Sequence, residues 1–479
     1  MIHYWIKRSS LVLLAVFVLS CASYYQVNYE FNQNYEQGRM QEAKEILDAK
    51  KKLAEDKNRF LYFVNQGVVS AQLGHYEESN DWFEQAYLFG EDYHKNYANQ
   101  AASFLLNPNI TPYKGEDHEH LLLLYYKAIN FLKLSDYESA LVECRRLNNR
   151  LNQLSDRYKS ENKYKRDAFI HNLMGIIYEA SGDINNAFIA YRNSYEAYKE
   201  DYQSMFNVST PDQLKKDLIR SAYLNGFETE LDFYLREFNM DFNRNDIPNN
   251  ELVFFWHNGL GPIKEEWSIN FTILEGEVGM VTFVNEEYGF NFPFPVADDH
   301  ERSELTDLRF FRVAFPKYKE RSPVYTSGYL EANNQKYTLE KAEDINGIAF
   351  KVLNERMLQE LGKGLLRLAI KKSIETAIRG TPSSDDEKTD EERKKEELRE
   401  GLSFLVGAIN AATEKADTRN WQTVPHSIFY SRVPLDTGVN EVILKVSSDK
   451  VNAKNTKSFI FDLQKGETVF HTYHSLEAM

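Results

Sequence analysis

Residues Asp167 to Ala197, DAFIHNLMGIIYEASGDINNAFIAYRNSYEA, read as two antiparallel helices joined by a tight turn at Gly182-Asp183. Gly175 and Ala187 are the small residues where the helices cross closely, and Tyr178 and Tyr191 fill the space beside them. Such a pair carries an apolar face that it cannot bury alone, so copies are expected on either side.

The same template fits three further stretches. Residues 31–51, with Gly38, Ala43 and Leu47, form a weak unit suited to a cap. Residues 63–87 supply Gly67, Gly74, Ser79, Phe83 and Ala86, and residues 121–147 supply Ala128, Phe131, Ala140 and Cys144. A last helix pair at 211–222 and 228–238 closes the array. His171, Met174, Gly175 and Tyr178, followed by Ala187 and Tyr191, resemble the tetratricopeptide repeat pattern, with His171 where that family prefers Trp. The resemblance implies a binding scaffold. Gly67, Ala128 and Gly175 are spaced well beyond the ~34-residue period of a regular array. The first gap is expected to hold an extra helix at about 91–106 and a loop at 107–115. The second gap fits an extended helix from 140 to about 156. Cys144 falls on an inward position and is expected to be a small buried apolar residue.

Beyond 250 the period changes. Runs at 252–256, 267–273, 278–284 and 308–314 are β-branched and aromatic, with turn residues between them. Residues 324–331 and 336–339 predict a hairpin around Asn333-Asn334, and strands return at 427–433, 441–446, 458–463 and 468–473. The expected fold is α+β and multidomain. A tetratricopeptide-like helical repeat array (29–240) and a linker (241–250, DFNRNDIPNN) lead to an antiparallel β-rich, sandwich-like domain (251–479) with an inserted α-helical hairpin. That hairpin spans about 344–416. It begins with a helix bearing Leu358, Leu361, Leu365 and Leu368 on one face and contains a charged loop at 381–397. It returns as an apolar helix at 402–412, too short to cross a bilayer and open to a role in core or interface.

The chain has 479 residues, 30 Tyr and 31 Phe beside 5 Trp, and a net charge of −15, a balance that argues against nucleic-acid binding. At the N-terminus, Lys7 and Arg8 precede the apolar run Leu11 to Leu19, then Ser20-Cys21. This is a secretory signal, expected to occupy 1–20 and to be followed by a tether at 21–28. Val18-Leu19-Ser20-Cys21 resembles a bacterial lipobox, which implies acylation of Cys21 and a stable lipid anchor in the bilayer. By resemblance to bacterial sorting signals, Ala22 in place of Asp after the Cys implies the outer membrane, and the lack of a following acidic export cluster implies a chain facing the periplasm. Cys21 and Cys144 are the two cysteines, so no disulfide framework remains.

Tyr113-Lys-Gly-Glu116, residues 141–147, Gly259-Leu-Gly-Pro-Ile-Lys264 and Asp417-Thr-Arg-Asn-Trp-Gln-Thr-Val-Pro425 resemble signature segments of an uncharacterised family of Gram-negative bacterial lipoproteins. The resemblance implies N-terminal repeat helices, a C-terminal β-rich part and an envelope location, but no reaction.

The sequence holds no HExxH, P-loop, GxSxG or paired CxxC motif. Glu116-Asp-His118-Glu-His120 is its densest group of metal-capable side chains. Its place before a helix favours capping over zinc, and Gly259-Leu-Gly-Pro reads as a tight inter-strand turn. No catalytic residue, metal or cofactor is assigned. Two candidate sites are. The first helices of the pairs present Tyr62, Asn65 and Gln66, then Leu124, Lys127 and Asn130, then Asn172 and Tyr178, a set suited to an extended peptide or partner helix. Such a groove has two other possible occupants: the chain's own loop at 108–116, or the β domain. Asp417, Arg419 and Trp421 are expected to lock the α-hairpin onto the sheet, with a ligand site as the alternative. The expected function is a non-enzymatic envelope scaffold that binds protein partners. The alternatives are a part of an outer-membrane assembly, secretion or peptidoglycan-synthesis complex, and a cell-wall or glycan enzyme using Glu116 and Glu119.

Overall fold

The computed structural model describes residue 25 and residues 28–95, 111–155, 164–275, 280–287, 289–295, 310–357 and 416–477. Cys21 and its leader lie outside these, as do the 381–397 charge run and the helix expected at 402–412.

Among the described residues, five helix pairs form the first half, a tetratricopeptide-like repeat region. They are α1 (Tyr29–Glu36) with α2 (Met40–Ala49), α3 (Arg59–Gln72) with α4 (Tyr76–Lys95), and α5 (Asp117–Lys133) with α6 (Tyr137–Ser155). Then come α7 (Ala168–Ala180) with α8 (Ile184–Ala197) and, after the short α9 (Gln203–Phe206), α10 (Asp212–Asn225) with α11 (Glu228–Phe238). Residues 91–95 continue α4 and do not begin a separate helix, because nothing between Tyr76 and Lys95 breaks the turn. The remainder of that expected helix lies outside the described residues.

Local chemistry sets these bounds. Glu116 and Glu119 form a capping box that starts α5, and Asp167 caps α7 by accepting from the Ile170 amide at 2.8 Å. Gly182 makes the turn between α7 and α8 at φ +83°, where a side chain would be strained. The close crossing read from Gly175 is present: a Cβ there would lie 2.4 Å from the Tyr191 ring. Cys144 is buried on α6, and its thiol is pushed well above the usual range by that burial.

Twelve described strands follow, β1 (Asn250–Asn258), β2 (Ile263–Glu275), β3 (Met280–Asn285), β4 (Phe290–Pro295), β5 (Phe310–Lys319), β6 (Ser327–Ala332), β7 (Gln335–Thr338), β8 (Glu340–Glu343), β9 (Ser427–Leu435), β10 (Gly438–Ser447), β11 (Lys454–Leu463) and β12 (Thr468–Ser475). A helix α12 occupies 345–357. The strands build three four-stranded sheets, ordered β12-β1-β9-β8, β11-β10-β6-β7 and β4-β3-β2-β5. The β6–β7 hairpin turns at Asn333 and Asn334, both at positive φ, as its sequence predicts. The sheets are not wholly antiparallel: β12 joins β1 in parallel, Glu251 opposite Thr468.

The first sheet is the central layer. Leu252, Phe254 and Trp256 of β1 face the second sheet, in one core with Leu330, Val433 and Leu444. Val253 and Phe255 alternate with them and face the helices, sharing a core with Phe169, Tyr191, Tyr430 and Phe470. The helical and β-rich halves therefore share one continuous core. The third sheet has its own small core around Phe271, Phe283 and Val313.

Candidate functional site

The eight residues expected to line a partner groove do not face an open groove. Tyr62, Asn65, Gln66, Leu124, Lys127, Asn130 and Asn172 are buried, and only Tyr178 is partly exposed. Gln66 donates to Asp48 at 3.0 Å and to the Tyr62 hydroxyl at 3.1 Å. Asn130 donates to Ser79 and Asn80 at 2.8 and 2.9 Å. Lys127 pairs with Glu84 and, at 2.9 Å, with Glu143, so the charged groups of α6 serve the array itself. Asn172 sits against Tyr430 of β9, and the Tyr178 hydroxyl accepts from Arg145 at 2.9 Å. The inner face is covered by the β-rich half, chiefly by residues 416–426. Thr423 donates to Asn65 at 3.0 Å, Tyr35 donates to the Thr423 carbonyl at 3.0 Å, and Trp421 lies between Phe83 and Tyr126 at ring distances of 5.9 and 5.7 Å.

Asp417, Arg419 and Trp421 are tied to the repeat half; most of the α-hairpin that they were expected to lock onto the sheet lies outside the described residues. Arg419 holds Asp417 through two bonds of 2.8 and 2.7 Å, reaches the Thr111 carbonyl at 3.0 Å and lies 5.2 Å over the Tyr113 ring. The Trp421 amide donates to Glu119 at 2.6 Å. These bonds fasten the segment to the repeat helices and the loop before α5, because Trp421 finds its apolar seat there.

Three segments quoted separately from the sequence converge at this point. Lys264 forms an ion pair with Glu116, and Arg356 of α12 adds a second cation to Glu116 at 2.8 Å. Asn420 donates to the Pro262 carbonyl at 2.8 Å, and Gly261 donates to the Val424 carbonyl at 2.7 Å. A Cβ on Gly261 would stand 2.5 Å from the Cγ2 methyl of Val424, so glycine leaves room for that side chain. Burial opposes ionisation of Glu116, but Arg356 and Lys264 outweigh it and hold the carboxyl well below the usual range. Glu119 has no such cation of its own. Burial and the Glu116 charge push it up to about 7, against the donors Tyr113, Glu116 N–H and Trp421 N–H that it accepts. Burial pulls His118 down to about 4, and His120 is spent on the Lys114 carbonyl at 2.8 Å. His474 is buried and bonded to the Gly259 carbonyl at 2.7 Å.

A second buried polar cluster, not foreseen from sequence, ties α7, α8 and α10 to β1 and β9. Arg432 donates to Glu251 from Nε at 2.9 Å and also from Nη2, while Nη1 reaches Glu179 at 2.8 Å and Tyr191 at 3.0 Å. Arg220 donates to Glu179 at 2.7 and 2.8 Å and to Asp217 at 3.0 Å. Glu179 is lowered to about 2, its burial outweighed by Arg220 and Arg432, whereas burial leaves Asp217 raised. The signal in the sequence was Arg432 itself, a lone charge inside SIFYSRVPL. A third cluster joins Asp167 to Glu343. Tyr164 donates to Asp167 at 2.8 Å and Tyr202 to Glu343 at 3.2 Å, and burial beside Asp167 pushes Glu343 well above the usual carboxyl range.

No family model matches the chain, and no curated protein matches it. Among solved structures it is similar to BtubC (BKLC) from P. vanneervenii, with TM-score 0.31 and 11% identity over 44% of this chain and 76% of that one. It is similar to MamA, with TM-score 0.29 and 12% identity over 43% and 91%. It is also similar to a putative kinesin light chain of Podosopora anserina with nearly identical TPR-like repeats, with TM-score 0.29 and 14% identity over 44% and 90%.

Proposed function

We propose that this chain is a non-enzymatic scaffold of the cell envelope, anchored in the outer membrane through an acylated Cys21 and facing the periplasm. Its repeats hold its own β-rich half on their inner face and meet a protein partner with their outer face. The observation that carries this reading is the division of the two faces. The inner amides and aromatics are buried within the chain, whereas apolar side chains recur at one register on the outer helices. Val142, Ile189 and Phe233 are each the sixth residue of α6, α8 and α11, at 39%, 38% and 51% exposure. Equivalent positions of stacked pairs line up along an array, so the three form a row fit for an apolar face of a partner. The titratable clusters at Glu116/Glu119, Glu179/Arg432 and Asp167/Glu343 are locked into mutual bonds across the seam, which supports a structural role for them over a catalytic one. The signature-segment resemblance supports the envelope location.

Photoreactive residues placed at Ile189 and at Asn130 test this in the native envelope. Adducts with one discrete protein from Ile189, abolished by Val142→Lys, and only intramolecular crosslinks from Asn130 are expected. Partner adducts from Asn130 with none from Ile189 would return the binding site to the inner face and overturn the proposal.

A further inference from the structure

The last repeat pair, the linker and the β-rich half enclose a cleft of about 380 Å³, within the range of small-molecule sites once its open mouth is included. Gln213, Lys216 and Arg220 follow one face of α10 at helical spacing and form one wall. Asp241 and Phe242 of the linker form the other, and Glu251 and Arg432 lie at the floor.

The two arginines differ in what they have left to give. Arg432 places its Nε, Nη1 and Nη2 on Glu251, Glu179 and Tyr191. Arg220 places only Nε and Nη2, on Glu179 and Asp217. Its Nη1 stands 4.0 Å from Glu251, beyond hydrogen-bond reach. Arg220 is only 9% exposed, so a buried guanidinium borders the cleft with donors unused. Lys216, one turn earlier, is exposed and makes no ion pair with a described residue; Asp241, on the opposite wall, is in the same state. Ile219, Phe242 and Pro434 supply apolar surface between the charged walls.

A ligand for this cleft must accept from Arg220 Nη1 and Lys216, donate to Asp241 and cover the apolar surface. The surrounding charges also limit it. Glu179, Asp217, Glu251 and Asp241 stand against Lys216, Arg220 and Arg432, so a dianion would meet net repulsion, while a molecule neutral overall would not. We propose that the cleft binds a zwitterionic α-amino acid or dipeptide with an apolar side chain, its carboxylate on Arg220 Nη1 and Lys216 and its ammonium on Asp241. One carboxylate oxygen can accept from Arg220 Nη1 while the other accepts from the Lys216 ammonium, a two-point reading of a planar carboxylate that a spherical anion does not match. The cleft shares no lining residue with the outer row of Val142, Ile189 and Phe233, so it stands independently of the scaffold proposal.

Calorimetric titration of the full chain in detergent tests it. The probes are L-leucine, L-phenylalanine and leucyl-leucine, and the blocked controls are N-acetyl-L-leucine and L-leucinamide. Saturable binding of at least one zwitterion is expected, weakened about tenfold or more by either block. Lys216→Ala and Asp241→Asn change exposed side chains and should melt as the parent does, yet each should weaken binding about tenfold. No saturable binding of any zwitterion up to about 10 mM would overturn the assignment, as would equal binding of a blocked form or undiminished binding by both variants.

Discussion

Arg432→Ala should loosen the seam between the repeats and the central sheet, and the network around it sets the size of the effect. Arg432 is 4% exposed and pairs with Glu251, Glu179 and Asp217, the last at 3.3 Å. Its removal leaves three buried carboxylates with Arg220 alone. Breaking a buried pair by deleting one partner costs about 3–5 kcal/mol, since the remaining charge stays out of water. The pH dependence is the sharper test. In the parent, Glu179 is held at about 2, below its unfolded value, so its contribution is present above the ordinary carboxyl range and lost as pH falls through that folded value. In the variant the folded carboxyls should rise above their unfolded values, because burial persists and one cation is gone. The folded state then takes up protons, and the deficit should grow as pH rises, by about 1.4 kcal/mol for each tenfold change in a carboxyl's proton affinity. Urea denaturation of the full chain at about pH 5 and pH 8 reads both effects, with the larger deficit expected at pH 8. Far-ultraviolet dichroism and tryptophan fluorescence should also cease to report one transition, because the helices lose their tie to β1 and β9. A deficit under about 1 kcal/mol, or one equal at the two pH values, would refute the reasoning and reduce Arg432 to a space-filler.

Gly175→Ala should destabilise by about 1–2 kcal/mol in the same assay. The gain of about 1 kcal/mol in helix propensity is outweighed by a Cβ set 2.4 Å from a Tyr191 ring that Glu179 and Arg432 hold in place, and an unchanged midpoint would mean the ring can retreat. Glu343 is raised above its unfolded value, so its protonated form stabilises the fold at low pH and that contribution is lost as pH rises toward the folded value. Glu343→Gln should flatten this part of the stability profile, and a slope identical to the parent's would show that Glu343 does not titrate in this way. Cys21→Ser should leave the chain unprocessed or release it from the membrane fraction, and unchanged mass and fractionation would contradict a lipid anchor.

What the sequence disclosed and what it hid divide along the range of the interactions. Helix pairs were legible because their signals are local: Gly175 under Tyr191, Gly182 at the turn, Asp167 and Asp183 at the caps. Strand β4 was missed because Pro293 and Pro295 argue against a strand, and they are tolerated because β4 is an edge that pairs only with β3. The parallel pairing of β12 with β1 joins the two ends of the β-rich half, a choice no local pattern encodes. The inner-face residues were identified correctly as to their position but not as to what they meet. Asn65 and Asn130 look alike in sequence whether an amide bonds a guest peptide or the chain's own Thr423 and Ser79. The deciding information was already in the sequence but scattered. Glu116, Lys264 and the 417–425 segment stand far apart along the chain, yet they meet at the mouth of that face. An inner face that supplies Asn65, Phe83, Tyr126 and Glu119 to a single tethered segment has no room to exchange it for a guest without also dislodging Trp421 from the shared core. The proposed partner, to leave the fold intact, would approach from the outer helices, where Ile189 and its neighbours recur at one register and stay exposed.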